Sequence, residues 1–169
     1  MSTRTLFDEI REVASAYPSS RSAVMPALHL AQARYGWLPP EALREVADAL
    51  DLTPAYCESI ASFYDMYHLE PVGRHEVAIC TNVSCALVGA QDVLQAFEQE
   101  LGIHAGETTE DGEFTLTSFE CLGGCGWAPV VAVNWRYREN VKAEDVPGIV
   151  AELRGETPAP EPEGTANGG

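Results

Sequence analysis

The stretch His75-Glu76-Val77-Ala78-Ile79-Cys80-Thr81-Asn82-Val83-Ser84-Cys85 decides how this chain is read. Its first half is rich in apolar and β-branched residues up to a cysteine, and it reads as a strand. Its second half is a C-x4-C segment that begins where the strand stops. A counterpart lies downstream. Glu113-Phe114-Thr115-Leu116-Thr117-Ser118-Phe119 alternates apolar and polar residues like a half-buried strand, behind an Asp111-Gly112 turn signal. It runs into Cys121-Leu122-Gly123-Gly124-Cys125, a C-x3-C. Each cysteine pair is read as a loop just after a strand. Two adjacent strand ends in one sheet bring both pairs to one edge, although thirty-five residues separate them in sequence.

Between the pairs, Gly89 to Leu101 reads as an amphipathic helix with Val93, Leu94 and Phe97 on its apolar face and Gly102 past its end. Val130 to Asn134 is a further buried strand, Asn134 to Val141 holds a turn and a short strand, and residues 144–154 read as a closing helix. Strand, helix, strand, strand, helix fits helices layered on a small mixed sheet. The first seventy residues differ. Leu6, Phe7, Ile10, Val13, Ala14 and Tyr17 recur at helical spacing before Pro18. Ser22 is read as the cap of a second helix with Val24, Leu28, Ala31 and Tyr35 as its stripe, ended by Gly36. Pro39-Pro40 open a third helix through Leu50. Thr53-Pro54 start a fourth, on which Ile60, Phe63 and Tyr64 follow. The expected organisation is α+β: a helical bundle over residues 1–70, an α/β domain with a small mixed sheet over 71–155, and an acidic tail over 156–169. The tail carries no large apolar side chain and is expected to be disordered.

An apolar fraction of 46% supports a real core. The net charge is −16, and acidic residues are spread along the whole chain. Such a chain repels phosphate backbones and anionic lipid, so nucleic acid is not an expected partner. No run of about 18 apolar residues occurs, so no spanning helix is expected. The start lacks the apolar core of a signal peptide, and Asp8, Glu9 and Glu12 argue against a transit peptide. The chain is therefore expected to stay where it is made, in the cytoplasm. Thiols are kept reduced there, so five cysteines point to metal or redox chemistry rather than disulfides.

Iron and zinc both accept four thiolates in tetrahedral geometry. Spacings of x4 and x3 are wide for structural zinc and suit a binuclear cluster, where each pair holds one iron and the loop passes around a sulfide. On spacing alone a zinc site, buried thiols and disulfides stay open. No C-x-x-C redox motif is present. Gly123 and Gly124 let backbone pass close to a cluster, and their amides and those of Val83, Ser84 and Gly126 are candidate donors to sulfur. Cys57 reads as a buried structural thiol. His29, His68, His75 and His104 are scattered, and none pairs with a cysteine at ligand spacing. Trp37, Tyr64 and Tyr67 read as packing between bundle helices. Neither a G-x-G-x-x-G loop nor a Walker A sequence occurs, so no nucleotide site is expected on this chain.

The string Cys80-x4-Cys85, then Glu120-Cys121-Leu122-Gly123-Gly124-Cys125-x-x-Ala128-Pro129 and Asn134, resembles the thioredoxin-like [2Fe–2S] ferredoxins, and within them the E-subunit group of bacterial NADH-quinone oxidoreductases. Leu28-x-x-Ala31-Gln32-x-x-Tyr35-Gly36-Trp37-Leu38-Pro39, Ser62-Phe63-Tyr64-x-Met66-Tyr67 and Gly106-Glu107-Thr108-Thr109-x-Asp111-Gly112-x-Phe114-x-Leu116 carry the same likeness. It covers about residues 5 to 154. The resemblance implies a thioredoxin-like fold for the second domain. It implies one [2Fe–2S] cluster, with Cys80 and Cys85 on one iron and Cys121 and Cys125 on the other. The expected partner is the flavin- and NADH-binding subunit, which carries FMN and NADH itself, alongside other peripheral-arm subunits on the cytoplasmic side of the inner membrane. The resemblance implies that the cluster exchanges an electron with reduced FMN off the main route to quinone, and the isolated chain is expected to show no turnover. A four-cysteine site taking an electron inside an acidic chain is expected at low potential, roughly −400 mV. By the same analogy a cis bond before Pro129 is an expectation. Gly126-Trp127 and Trp135-Arg136 depart from the family's usual residues without touching the ligands. The same motifs also fit the equivalent subunit of an NAD-dependent formate dehydrogenase or hydrogenase. A zinc-binding interaction module is the reading from another class. A free-standing shuttle does not need the seventy helical residues.

Overall fold

A computed structural model describes residues 4–155. The expected tail, 156–169, lies outside the described residues. The chain divides into two compact units at residues 72 and 73.

The first unit is helical. α1 (Leu6–Ala14) starts in a capping box, with the Asp8 N–H donating to Thr5 Oγ1 at 3.2 Å and the Thr5 N–H donating to Asp8 Oδ2 at 3.3 Å. α2 (Val24–Tyr35) ends at left-handed Gly36, as the sequence predicts. Its start differs. Ser19, not Ser22, supplies the capping oxygen, and it serves a short 3-10 turn, Ser20–Ala23, that leads into α2. α3 (Pro40–Leu50) and α4 (Pro54–Ala61) begin at their prolines, and Thr53 Oγ1 accepts from the Tyr56 N–H at 3.3 Å. α4 stops at Ala61, so Phe63 and Tyr64 lie beyond it, with Phe63 77% exposed. Tyr64 is likewise at the surface, whereas Tyr67 is buried. Leu6, Ile10, Val24, Leu28, Val46 and Leu50 form the core. Buried alanines on three helices, among them Ala27, Ala31, Ala42, Ala47 and Ala61, let the helices approach closely.

Two of the motif stretches are joined here. The Gln32 side chain donates to the Met66 carbonyl and accepts from the His68 N–H, both at 2.8 Å. The Leu38 N–H donates to the His68 carbonyl at 2.8 Å. Tyr67 donates its hydroxyl to the Met25 carbonyl at 2.8 Å, and burial, with Tyr64 nearby, pushes its pKa up to about 12.

The second unit is a four-stranded mixed sheet, in the order β2-β1-β3-β4, with helices on it. β1 (His75–Cys80) pairs in parallel with β2 (Phe114–Phe119), and Cys80 stands opposite Phe119. The crossover between them carries α5 (Val83–Leu87) and α6 (Ala90–Leu101). β3 (Val131–Val133) runs antiparallel to β1, and β4 (Arg136–Arg138) antiparallel to β3. The turn between them places Asn134 and Trp135 at φ 48° and 62°, as a primed hairpin turn requires. α7 (Val146–Leu153) closes the unit and packs on α6. Arg138 holds it to β4 through both oxygens of Glu152, a pair that keeps the Glu152 carboxyl below its usual pKa.

Strand alternation splits the unit into two apolar regions. Val77, Ile79, Phe114, Leu116, Val131 and Val133 face Val93, Phe97, Val146 and Val150 of the helices. Ala78, Cys80 and Ala132 fall on the other face, with Cys85, Leu122 and Val130. Gly73 enters β1 hard against β2. A Cβ there meets Phe114 C at 2.6 Å and Thr115 N at 2.8 Å, both backbone atoms that cannot turn away. Gly73→Ala is expected to destabilise this unit by about 1–3 kcal/mol, read as a lower urea midpoint. An unchanged midpoint contradicts this packing.

Candidate metal centre

Parallel pairing is what brings the two cysteine pairs together. Cys80 is the last residue of β1, and Cys121 lies two residues beyond the end of β2, so both leave the sheet at the same edge. The remaining pair members are not in plain loops as the spacing suggests. Cys85 sits on the short helix α5, and Cys125 opens a 3-10 turn, Cys125–Trp127. α5 spans only five residues, too few to show a period in sequence. Cys85 is buried, as Cys80 is, while Cys121 and Cys125 are exposed.

The four thiols form one interacting group. Burial opposes the Cys80 thiolate. Amide N–H groups of Leu122 and Asn82, with the thiols of Cys85 and Cys121, outweigh it and hold Cys80 below the ordinary thiol value. Cys85 goes the other way. Burial raises it, the Val130 N–H opposes that, and the neighbouring Cys80 and Cys125 charges raise it further. The Gly123 N–H donates to Cys121 Sγ at 3.4 Å. Amides that reach sulfur thus include Gly123, which the spacing singles out, and Asn82, Leu122 and Val130, which it does not. The loop is pressed close beneath. A Cβ on Gly124 meets Val130 Cγ2 at 2.8 Å. Ala128–Pro129 is a cis bond.

This donor set fits a four-thiolate iron–sulfur group: thiols from two strand ends, amide dipoles turned toward sulfur, and small residues where the backbone comes close. Among the described residues no three His, Cys, Asp or Glu side chains converge around a single-ion position. His29 packs on Tyr67, and His104 faces Glu98 at 3.4 Å. His75 lies against Phe114 with both ring nitrogens buried and without a hydrogen-bond partner. Cys57 is buried in the helical core, and burial raises its pKa. Trp127 is exposed, and Trp135 meets Phe119 edge-on with ring centroids 5.6 Å apart.

In the reduced, metal-free chain Cys121 and Cys125 are expected to alkylate first. Cys57 should lag them by roughly tenfold or more, because it reacts only through local opening. Peptide mapping after timed iodoacetamide exposure checks the order, and early labelling of Cys57 contradicts it. Gly124→Ala is expected to lower iron and sulfide retained per chain, and adding Val130→Ala to recover part of it. Metal analysis of both variants decides.

A family model described as thioredoxin-like [2Fe–2S] ferredoxin matches residues 10–154. The second NADH-quinone oxidoreductase E-subunit of Rhizobium meliloti (strain 1021) is 43% identical over 150 residues, 89% of this chain and 89% of that protein. The NADH-quinone oxidoreductase E-subunit of Mycobacterium tuberculosis (strain ATCC 25618 / H37Rv) is 41% identical over 89% of this chain, which spans 60% of that longer relative. Among solved structures, an NAD+-reducing [NiFe]-hydrogenase in the air-oxidized state aligns with a TM-score of 0.71 at 23% identity, over 80% of this chain and 23% of that one. That likeness concerns the fold. The chain belongs to the thioredoxin-like [2Fe–2S] ferredoxin family, and within it to the E-subunit group of NADH-quinone oxidoreductases.

Proposed function

We propose that this chain is an electron-transfer subunit of NADH-quinone oxidoreductase that holds one [2Fe–2S] cluster on Cys80, Cys85, Cys121 and Cys125. The observation that carries the reading is the meeting of four thiols at one sheet edge with amide N–H groups directed at their sulfurs. Cys80 and Cys85 hold one iron, and Cys121 and Cys125 hold the other. When bound, the cluster takes up and returns one electron. The amides of Asn82 and Leu122 favour the Cys80 thiolate, and that of Val130 favours the Cys85 thiolate against its burial; thiolates are the forms a metal needs. Leu122 and Val130, both buried, keep water from the Cys80 and Cys85 side.

The other side is open and apolar. Val83, Leu87 and Val88, on α5 and just after it, and Trp127 beside Cys125 are all exposed, with Leu87 at 81%. Exposed apolar side chains on the segments that carry Cys85 and Cys125 suit a protein partner. The proposed partner is the flavin- and NADH-binding subunit, whose FMN exchanges an electron with the cluster across this face. Other peripheral-arm subunits complete the assembly on the cytoplasmic side of the membrane. No helix among the described residues is long and apolar enough to cross a membrane. In this role the chain moves electrons and does not turn over NADH by itself. A zinc-binding interaction module is the reading from another class, and metal analysis separates it from the cluster. The equivalent hydrogenase subunit is supported only by the likeness of fold.

The test is EPR of anaerobically purified protein before and after dithionite, with iron, zinc and sulfide analysis. The expected result is about two irons and two sulfides per chain, silent when oxidised and giving an S = 1/2 signal when reduced. Alanine at any of the four positions should weaken or abolish that signal, while Cys57→Ser should leave it intact. A colourless chain with one zinc and no sulfide, even after anaerobic reconstitution, overturns the reading.

A further inference from the structure

The loop that carries Cys121 and Cys125 is tied down by β4 and the segment after it. Asn140 N–H donates to the Trp127 carbonyl at 2.8 Å, and Val141 N–H to the Pro129 carbonyl at 3.1 Å. A third tie is different in kind. The Tyr137 hydroxyl donates to the Leu122 carbonyl at 2.6 Å. That carbonyl and the Gly123 N–H are the two ends of one peptide group, and the Gly123 N–H donates to Cys121 Sγ at 3.4 Å. The hydroxyl, the peptide and the sulfur form one hydrogen-bonded chain.

Such a chain is cooperative. A donor on an amide oxygen draws electron density toward it and leaves the N–H a stronger donor, so the bonds at the two ends reinforce each other. The sheet aims the tyrosine. Tyr137 stands directly opposite Ala132 in the β3–β4 ladder, and residues paired across a ladder project from the same face. Ala132 lies on the cysteine face with Ala78 and Cys80. A small residue there leaves the phenol ring room to lean toward the loop.

We propose that Tyr137 is a positioning residue of the metal centre, whose hydroxyl, acting through the Leu122–Gly123 peptide, strengthens the N–H donor on the Cys121 sulfur and so raises the reduction potential of a cluster held there. The inference rests on the four-cysteine reading above. Its sign follows from charge. Reduction adds one negative charge to the cluster and its sulfurs, and a donor N–H favours the more negative state. Removing the hydroxyl weakens the donor and makes reduction harder. The loop keeps its other two ties, so the variant retains a folded site.

The experiment is an EPR-monitored redox titration of the full chain with its cluster, wild type against Tyr137→Phe, with iron and sulfide measured on each. The expected result is full cluster content and a midpoint shifted negative by two- to tenfold in the reduction equilibrium, where tenfold is about 59 mV for one electron. An unchanged or more positive midpoint at full cluster content overturns the proposal. If Tyr137→Phe loses its cluster, 3-fluorotyrosine at position 137, a stronger donor of nearly the same shape, decides instead. A positive shift supports the proposal, and no shift overturns it. Tyr67→Phe, which removes a hydroxyl in the helical unit, is the control and should leave the midpoint where it is. Wild-type protein that never takes up two irons and sulfide fails the four-cysteine reading itself, a failure distinct from a loaded Tyr137→Phe with an unmoved midpoint.

Discussion

Everything at the metal centre depends on β1 and β2 running in the same direction. In an antiparallel pair the segments after Cys80 and after Phe119 leave the sheet at opposite ends, a strand length apart. In the parallel pair they leave together, with Cys80 opposite Phe119. A parallel pair cannot be closed by a tight turn. It needs a crossover of a dozen or more residues, and here the crossover supplies part of the site, because Cys85 rides on α5 at its start. The central place of β1 adds a second condition. Its residues alternate between two packed faces, so Val77 and Ile79 serve the helices while Ala78 and Cys80 serve the cysteines. A one-residue slip of β1 would exchange these roles and remove Cys80 from the site.

The helical unit shows how a resemblance carried by separated motifs can have one physical cause. Gln32 occupies the first motif, and Met66 and Tyr67 the second. The Gln32 amide bonds to the Met66 carbonyl and to the His68 N–H, closing the chain after α4 onto α2. An ionised glutamate of the same length offers only acceptors, so it does not replace the amide, which must donate to one backbone group and accept from another. Within this unit the buried alanines contribute closeness rather than apolar bulk.

Much of this is legible in the sequence because it follows from period and from punctuation. β1 matches the segment from His75 to Cys80, α6 the amphipathic run before Gly102, and α4 the Thr53-Pro54 start. What escapes is short or tertiary. α5 has five residues and outward-facing Val83 and Leu87, so neither length nor pattern betrays a helix. Ser22 resembles a cap because it precedes the apolar stripe, but Ser19 holds that place one turn earlier for a 3-10 segment that has no stripe of its own. Tyr64 resembles Tyr67 in sequence, yet it is Tyr67 whose hydroxyl reaches a carbonyl, that of Met25. The role of Tyr137 depends on β4 folding back over the cysteine loop, which no local rule around Asn134 and Trp135 encodes. The four sulfur positions are readable as a set. The amides that face them are only partly so: Asn82 serves Cys80 from within its own motif, whereas Leu122 of the other motif and Val130 of neither become neighbours of the Cys80 and Cys85 sulfurs through the sheet.

The crossover has a further consequence for how the molecule comes into being. The helical unit is built from contacts between neighbouring segments, which form quickly. The pairing of β1 with β2 joins cysteines about forty residues apart, and non-local parallel pairing is slow because chain entropy is lost before any contact is gained. Until that pairing forms, a newly made chain carries two separate two-thiol hooks, neither able to complete a four-ligand site. The metal centre therefore cannot be completed before β1 and β2 pair, and its presence in a molecule reports that they have paired.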